Sequence, residues 1–230
     1  MNVAVILAGG IGSRLGADIP KQYIEVGGKP IISYCLDRFE YNTSIDDIVV
    51  VASEPWIPYV QEWVEKCGYC KVSAVIDGGS SRQHSVVKGL QYYKERGLDE
   101  DAYVLIHDAA RPGVTTELIN ALLAGMEGAD GVLPVLPAKD AMYISKDGKC
   151  IDGLLNRSEL FCGQSPEIFR FGQYYQLNQD LSEQELERIR GCSELANRNG
   201  LTVNLVAGDE ENYKITTKDD LKRFVAQMKK

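Results

Sequence analysis

Hydrophobic residues in this chain occur alternately as short unbroken runs and as spaced repeats. Residues 2–7 (NVAVIL), 47–52 (DIVVVA), 72–76, 102–107 (AYVLIH) and 131–136 (GVLPVL) are largely apolar runs bounded by turn residues, the pattern of strands buried on both faces. Between them, residues 30–41, 58–67, 82–96 and 115–126 carry apolar positions at three-to-four spacing, which predicts helices. Strand and helix in alternation predict an α/β fold: a three-layer, doubly wound, mostly parallel sheet.

After Leu136 the rhythm breaks. Residues 140–151 predict a two-stranded hairpin around Asp147-Gly148, the tip of a β-arm spanning 137–162. Helical patterning returns at 172–179 and 182–199, a strand follows at 202–207, and Thr217-Lys218-Asp219-Asp220 opens a last helix in the manner of a capping box. Without repeats or linkers, residues 1–230 are expected to form a single domain.

Composition narrows the function. Lys and Arg total 25 against 33 Asp and Glu, a net charge of −8, which argues against nucleic acid as a partner. An anionic ligand must therefore be caught by local cations. No apolar run approaches the ~20 residues that span a bilayer, and the amino end lacks a basic leader region, so a cytoplasmic protein with no membrane partner is expected. The six cysteines are expected to be free thiols. Cys67-Gly-Tyr-Cys70 closes a predicted helix instead of opening one, so its thiols lack the dipole activation of a redox motif.

The most informative stretch follows the first strand: Leu7-Ala8-Gly9-Gly10-Ile11-Gly12-Ser13-Arg14-Leu15-Gly16, then Pro20-Lys21-Gln22. Glycines let a backbone approach phosphate oxygens and donate N–H groups to them; the alternative is a plain β-to-α turn. The stretch lacks the Gly-Lys-Ser/Thr of a P-loop, and Leu15 stands where a dinucleotide fingerprint needs glycine. What remains is a glycine loop with two cations, Arg14 and Lys21, suited to nucleotidyl transfer, in which negative charge builds on the α-phosphate and the departing pyrophosphate.

The pattern L-A-G-G-x-G-S-R-x(6)-K-Q resembles the signature of nucleotidyltransferases that activate sugar and polyol phosphates. Asp77-Gly78-Gly79-x-x-Arg82-x-x-Ser85, His107-Asp108-Ala109-Ala110-Arg111-Pro112, Gly163-Gln164-Ser165-Pro166-x-x-Phe169 and Asn212-Tyr213-Lys214-Ile215-Thr216 follow in the order seen in the cytidylyltransferases of 2-C-methyl-D-erythritol 4-phosphate and ribitol 5-phosphate. The resemblance implies a Rossmann-like homodimer that takes CTP and a polyol phosphate, uses Mg²⁺ or another divalent cation, and exchanges arms between subunits.

It also implies roles for individual residues. Arg14 and Lys21 would be catalytic, and Leu7, Ala8, Gly9, Gly10, Gly12, Gly78, Gly79, Arg82, Ser85 and Ala109 would hold the nucleotide. Arg157, reaching in from the partner's arm, and Lys214 would grip the acceptor's phosphate, with Arg111, Asp140 and Ser165 elsewhere in the pocket. Asp108, which ends a strand where ligands gather on open α/β sheets, is the candidate metal ligand. Blander readings stand beside these: Asp108 as the N-cap of the next helix, Ser85 satisfying first-turn backbone donors, Arg157 and Lys214 as surface charge. His84 and His107 are read as structural.

The acceptor side departs from the family pattern at Ala141, which removes a hydroxyl beside Asp140, at Arg190-Gly191, and mildly at Ser165. Gly163-Gln164-Ser165-Pro166, Glu54-Pro55-Trp56 and Ile215-Thr216-Thr217 look more like the ribitol 5-phosphate branch, and Ala109-Ala110 more like the methylerythritol phosphate branch. Outside this family, a dinucleotide oxidoreductase and a nucleotide-binding regulator without turnover remain as alternatives.

Overall fold

A computed structural model describes residues 1–10 and 19–229. The glycine-loop residues Gly12 and Arg14 lie outside the described residues.

The first strand shows how the apolar runs are used. β1 (Asn2–Ala8) sends Ala4, Ile6 and Ala8 into one core and Val3, Val5 and Leu7 into another on the opposite face. A strand covered on both sides needs apolar residues at every position, hence the unbroken run. The chain then makes a 3₁₀ turn at Lys21–Tyr23 and a small hairpin of β2 (Glu25–Val26) and β3 (Lys29–Pro30). Next come α1 (Ile31–Glu40), β4 (Asp47–Ala52), α2 (Ile57–Cys67), β5 (Val72–Asp77), α3 (Arg82–Glu95), β6 (Tyr103–Asp108), α4 (Thr116–Ala124) and β7 (Gly131–Pro137), close to the predicted bounds. α1, α2 and α4 supply side chains to the first core and α3 to the second. α3 lies so close to β1 that a Cβ on Gly89 would come 2.5 Å from a Val5 methyl.

The predicted arm is present as β8 (Tyr143–Ile144) paired antiparallel with β9 (Gly153–Leu154), a return limb that falls just beyond the expected 140–151. β10 (Phe161–Gly163) and β11 (Glu167–Arg170) follow; the hydrophobic pattern did not predict them. Val135 of β7 pairs with Gly163, while β11 pairs with residues 131–132 of the same strand, so β10 and β11 are successive pieces along one edge of β7, interrupted by Gln164-Ser165-Pro166. Both run antiparallel to it.

After α5 (Phe171–Gln179), the expected helix at 182–199 is two helices, α6 (Glu183–Arg188) and α7 (Cys192–Arg198). Ile189 and Gly191 adopt extended backbone between them, and the polar Arg190-Gly191 pair offers no packing to hold a continuous helix. β12 (Val203–Ala207) pairs parallel with the other edge of β7, and α8 (Lys218–Gln227) starts with the reciprocal Thr217–Asp220 capping box. The large sheet thus runs β12, β7, β10/β11, β6, β1, β4, β5, parallel except at β10 and β11. Among the described residues no helix is long and apolar enough to cross a membrane.

Candidate active site

The parallel strands β1, β4, β5 and β6 end in register: Ala8 pairs with Ala52, Ala52 with Asp77, and Leu7 with Asp108. Their carboxyl ends therefore open along one edge of the sheet, where a cleft of about 540 Å³ lies. Leu7, Gly9, Gly10 and Lys21 line it from the end of β1 and the segment that follows, Gly79, Arg82 and Ser85 from the start of α3, Asp108 from the end of β6 and Lys214 from the segment before α8.

Lys21 owes its position to its neighbours. The Gln22 amide donates from Nε2 to the carbonyls of Ala8 (2.5 Å) and Gly10 (2.8 Å), and the Tyr23 hydroxyl donates to Ala8 at 2.8 Å. Tyr23 in turn stacks on Trp56 with ring centres 4.6 Å apart. The 3₁₀ turn bearing Lys21 is thereby pinned to the end of β1.

At α3, Ser81 caps the helix by accepting from His84 N, and Ser85 Oγ accepts from Gly79 N at 3.1 Å while facing the cleft. Gly79 is required there because a Cβ would sit 2.2 Å from His84 Cβ. His84 Nδ1 lies 2.8 Å from the Ser81 hydroxyl and 3.2 Å from that of Ser80, a structural setting.

Asp108 is the electrostatic centre. Arg82 Nε donates to Oδ1 at 3.1 Å, Lys214 Nζ to Oδ2 at 2.9 Å, and Arg111 Nε stands 3.7 Å from Oδ2. Burial alone would raise this carboxyl, but Arg82, Lys214 and Arg111 outweigh it and hold the group well below the usual carboxylate range. Asp108 does not cap α4; Thr115 does, accepting from Leu118 N at 3.1 Å.

Arg82 is itself shared. Nη2 reaches Glu167 Oε1 at 3.4 Å and Nη1 reaches Cys192 Sγ at 3.2 Å. Burial pushes the Cys192 thiol up to about 12, so at neutral pH the counter-charges of Arg82 are the two carboxylates. Glu167 and Cys192 were missed in the sequence: Glu167 occupies an unassigned position between Pro166 and Phe169, and only the fold brings it to Arg82, 85 residues earlier. Ser53, Ser80, Ser81, Ala110 and Thr216 also reach the cleft without having been assigned to it.

Other expected site residues stand back from the cleft. Ala8 and Gly78 are engaged through backbone, with Gly78 N bonded to Ala52 O at 2.7 Å. Ala109 is buried and donates to Leu7 O, Ser165 is buried behind Asp108, and Arg111 donates from Nη1 to Asn212 O at 2.8 Å. Asp140 is exposed on the arm. Arg157 lies with Lys139 and Asn156 in a separate hollow at the arm's base, where its Nη1 donates to Lys139 O at 2.9 Å. All six cysteines are free, and Cys67 ends α2 as expected.

The family profile of 2-C-methyl-D-erythritol 4-phosphate cytidylyltransferase (IspD) matches residues 2–230. The chain is 34% identical, over 98% of its length and 95% of the relative's, to ribitol-5-phosphate cytidylyltransferase of Streptococcus agalactiae. Identity is 38%, over 95% of this chain and 92% of the relative, with 2-C-methyl-D-erythritol 4-phosphate cytidylyltransferase of Geotalea uraniireducens. The crystal structure of the Francisella tularensis 2-C-methyl-D-erythritol 4-phosphate cytidylyltransferase superposes with a TM-score of 0.81 at 27% identity, covering 98% of this chain and 99% of that one. Profile, relatives and fold agree against an oxidoreductase or a regulator without turnover: the chain belongs to the IspD family of cytidylyltransferases and is a nucleotidyltransferase.

Proposed function

We propose that this protein transfers CMP from CTP to ribitol 5-phosphate or a closely similar pentitol phosphate, releasing pyrophosphate. The observation that carries the reading is the gathering of Lys21, Arg82 and Lys214 in one cleft of a chain whose net charge is −8. An oxygen of the acceptor's phosphate forms the new bond to the α-phosphorus as the bond from that phosphorus to the pyrophosphate oxygen breaks. The nucleophile is already ionised, so no base is needed, and neither histidine is given that part.

In this reading Lys21, with Arg14, counters the charge that peaks on the α-phosphate, and Gly9, Gly10 and Gly12 offer backbone donors to the phosphates. Ser85, Gly78, Gly79 and Ala109 shape the cytidine side. Lys214 takes the acceptor's phosphate together with Arg157 of the partner subunit. The described residues contain no cluster of three or more acidic, histidine or cysteine ligands, and among the described residues that line the cleft Asp108 presents the one carboxylate. That donor set suits Mg²⁺, which commonly uses one or two carboxylates and fills its shell with substrate phosphates and water. Asp108 would hold it, and the ion when bound would neutralise phosphate charge.

Residues 1–230 are read as one domain, with 137–162 a dimerisation arm, in a cytoplasmic homodimer. Exposed apolar side chains support the arm's role: Tyr143 is 57% exposed, Ile151 69% and Leu154 65%, more than a two-stranded hairpin keeps in water without a partner.

For the acceptor, Trp56, stacked behind the Lys21 turn, and Thr216, in the cleft, belong to the stretches that favour ribitol 5-phosphate. The 38%-identical relative makes 2-C-methyl-D-erythritol 4-phosphate the second reading. Pyrophosphate release from CTP, measured with each acceptor, tests both. A site that hydrogen-bonds particular hydroxyls should prefer its own substrate by roughly 10²-fold or more in kcat/KM. Release with the methylerythritol phosphate alone would reverse the assignment.

A further inference from the structure

Glu167 is only 5% exposed, and a carboxylate so buried must be matched by donors. Oε2 accepts from Ser193 N and from the Ser193 hydroxyl, both at 2.7 Å. Oε1 takes Cys192 N at 3.3 Å and Arg82 Nη2 at 3.4 Å. One side chain thus ties β11 to the first residues of α7 and to α3.

The consequence lies in how Arg82 is divided. Nε and Nη2 form one edge of a guanidinium, and that edge ordinarily seats a single carboxylate with two parallel hydrogen bonds. Here the edge is split: Nε serves Asp108 Oδ1 and Nη2 serves Glu167 Oε1, while Nη1 is engaged by Cys192 Sγ. Asp108 therefore receives one hydrogen bond from Arg82 instead of two. Its Oδ2 is left to Lys214, a partly exposed side chain at the cleft wall that an incoming phosphate can draw away. Without Glu167, Nη2 would lose the carboxylate that holds it back from Asp108, and once a phosphate draws Lys214 off Oδ2 it could close a two-bond fork there.

We propose that Glu167 is a positioning residue: by holding Nη2 of Arg82 it keeps the Asp108 carboxylate open to a divalent cation. The inference rests on the reading of Asp108 as the metal-binding carboxylate. It assigns Glu167 no contact with substrate or metal, only control of a side chain that competes for Asp108.

Calorimetric CTP binding at stepped Mg²⁺ concentrations, without acceptor, tests the idea apart from turnover. CTP affinity should tighten with Mg²⁺, and the concentration giving half the effect is the readout. Glu167→Gln should raise that midpoint about tenfold, the lower end of what loss of support around a metal-binding carboxylate costs. Glu167→Asp, which keeps the charge but shortens its reach, should fall between Glu167→Gln and wild type, and it serves if the glutamine variant does not fold. Ser193→Ala loosens the same helix without touching Arg82 and should leave the midpoint in place. If Asp108→Asn shifts the midpoint and neither Glu167 variant does, the role given to Glu167 is wrong. A Ser193→Ala shift as large as that of Glu167→Gln would reduce Glu167 to a structural anchor. If Asp108→Asn leaves the midpoint unmoved, the metal reading itself fails, and this inference with it.

Discussion

Ser165 Oγ lies 3.2 Å from His107 Nδ1, and the same oxygen accepts the Asp108 amide at 3.1 Å. On its other side His107 faces the Arg111 carbonyl, 3.1 Å from Nε2. A carbonyl only accepts, so Nε2 carries the ring hydrogen, and Nδ1 is left to accept from the Ser165 hydroxyl. Protonating Nδ1 would turn the Ser165 hydroxyl hydrogen away from the only ring nitrogen it serves and place a cation in a fully buried site.

Burial, with the nearby charges of Arg111 and Lys214, therefore lowers His107 from its ordinary 6.5 to about 4, against the opposing pull of Asp108. Because the folded value is depressed, the unfolded chain binds the extra proton between these two values, and stability is lost as pH falls from about 6.5 towards 4. A gap of that size is worth on the order of 3 kcal/mol. Urea midpoints followed from about pH 7 down to about pH 4.5 should fall in wild type and fall less in His107→Gln. Parallel curves for the two proteins would show that His107 is not the group responsible.

The same cluster marks where the sequence stopped being legible. Asp108, Arg82 and Lys214 were readable because each sits in a short motif of distinctive composition, and the ends of parallel strands collect such motifs. Glu167 and Cys192 were not. Their contacts with Arg82 span 85 and 110 residues, and no local pattern encodes a contact created only when β11 and α7 pack against α3. β10 and β11 escaped for a related reason: each is short, and Gln164-Ser165-Pro166 breaks the alternation that would have joined them. Arg157 is the opposite case, marked out in the sequence yet away from the cleft of its own chain.

Lys21 is the cleanest test of the chemistry. The Gln22 and Tyr23 side chains pin its turn to Ala8 and Gly10, and both remain in Lys21→Ala, so this anchor of the loop should stay in place. Loss of one electrostatic contact to a developing charge typically costs ~10²–10³ in rate. Single-turnover rates should fall by that order while CTP affinity weakens far less. Equal rates for wild type and variant would remove Lys21 from the mechanism.

Asp108→Asn should act twice. Arg82, Arg111 and Lys214 converge on this carboxylate, and leaving them without it should cost roughly 2–4 kcal/mol, less than for a fully buried pair because Lys214 is partly exposed. Thermal unfolding reads that loss. The Mg²⁺ requirement for pyrophosphate release should rise sharply as well. A variant that unfolds earlier but titrates with Mg²⁺ like wild type would keep Asp108 as the charge centre of the cleft and reject it as a metal ligand.

The arm makes the boldest claim, because Arg157 can meet the acceptor's phosphate only if a second copy presents it. Within its own chain Arg157 sits at the arm's base, bonded to the Lys139 carbonyl and away from Lys214. The hairpin beyond it exposes Met142, Tyr143 and Ile144 on one limb and Ile151 and Leu154 on the other. Burying both limbs against a second subunit would give a two-fold interface that carries each Arg157 to the neighbouring cleft. Arg157→Ala and Lys21→Ala homodimers should each be nearly inactive. In a mixed dimer, the cleft of the Arg157→Ala subunit keeps its own Lys21 and receives an intact Arg157 from its partner, while the other cleft lacks both. Random reassociation makes about half the dimers mixed, so activity should recover to roughly a quarter of wild type if the sites act independently. No recovery despite demonstrated subunit exchange would place Arg157 in its own subunit's site or in none.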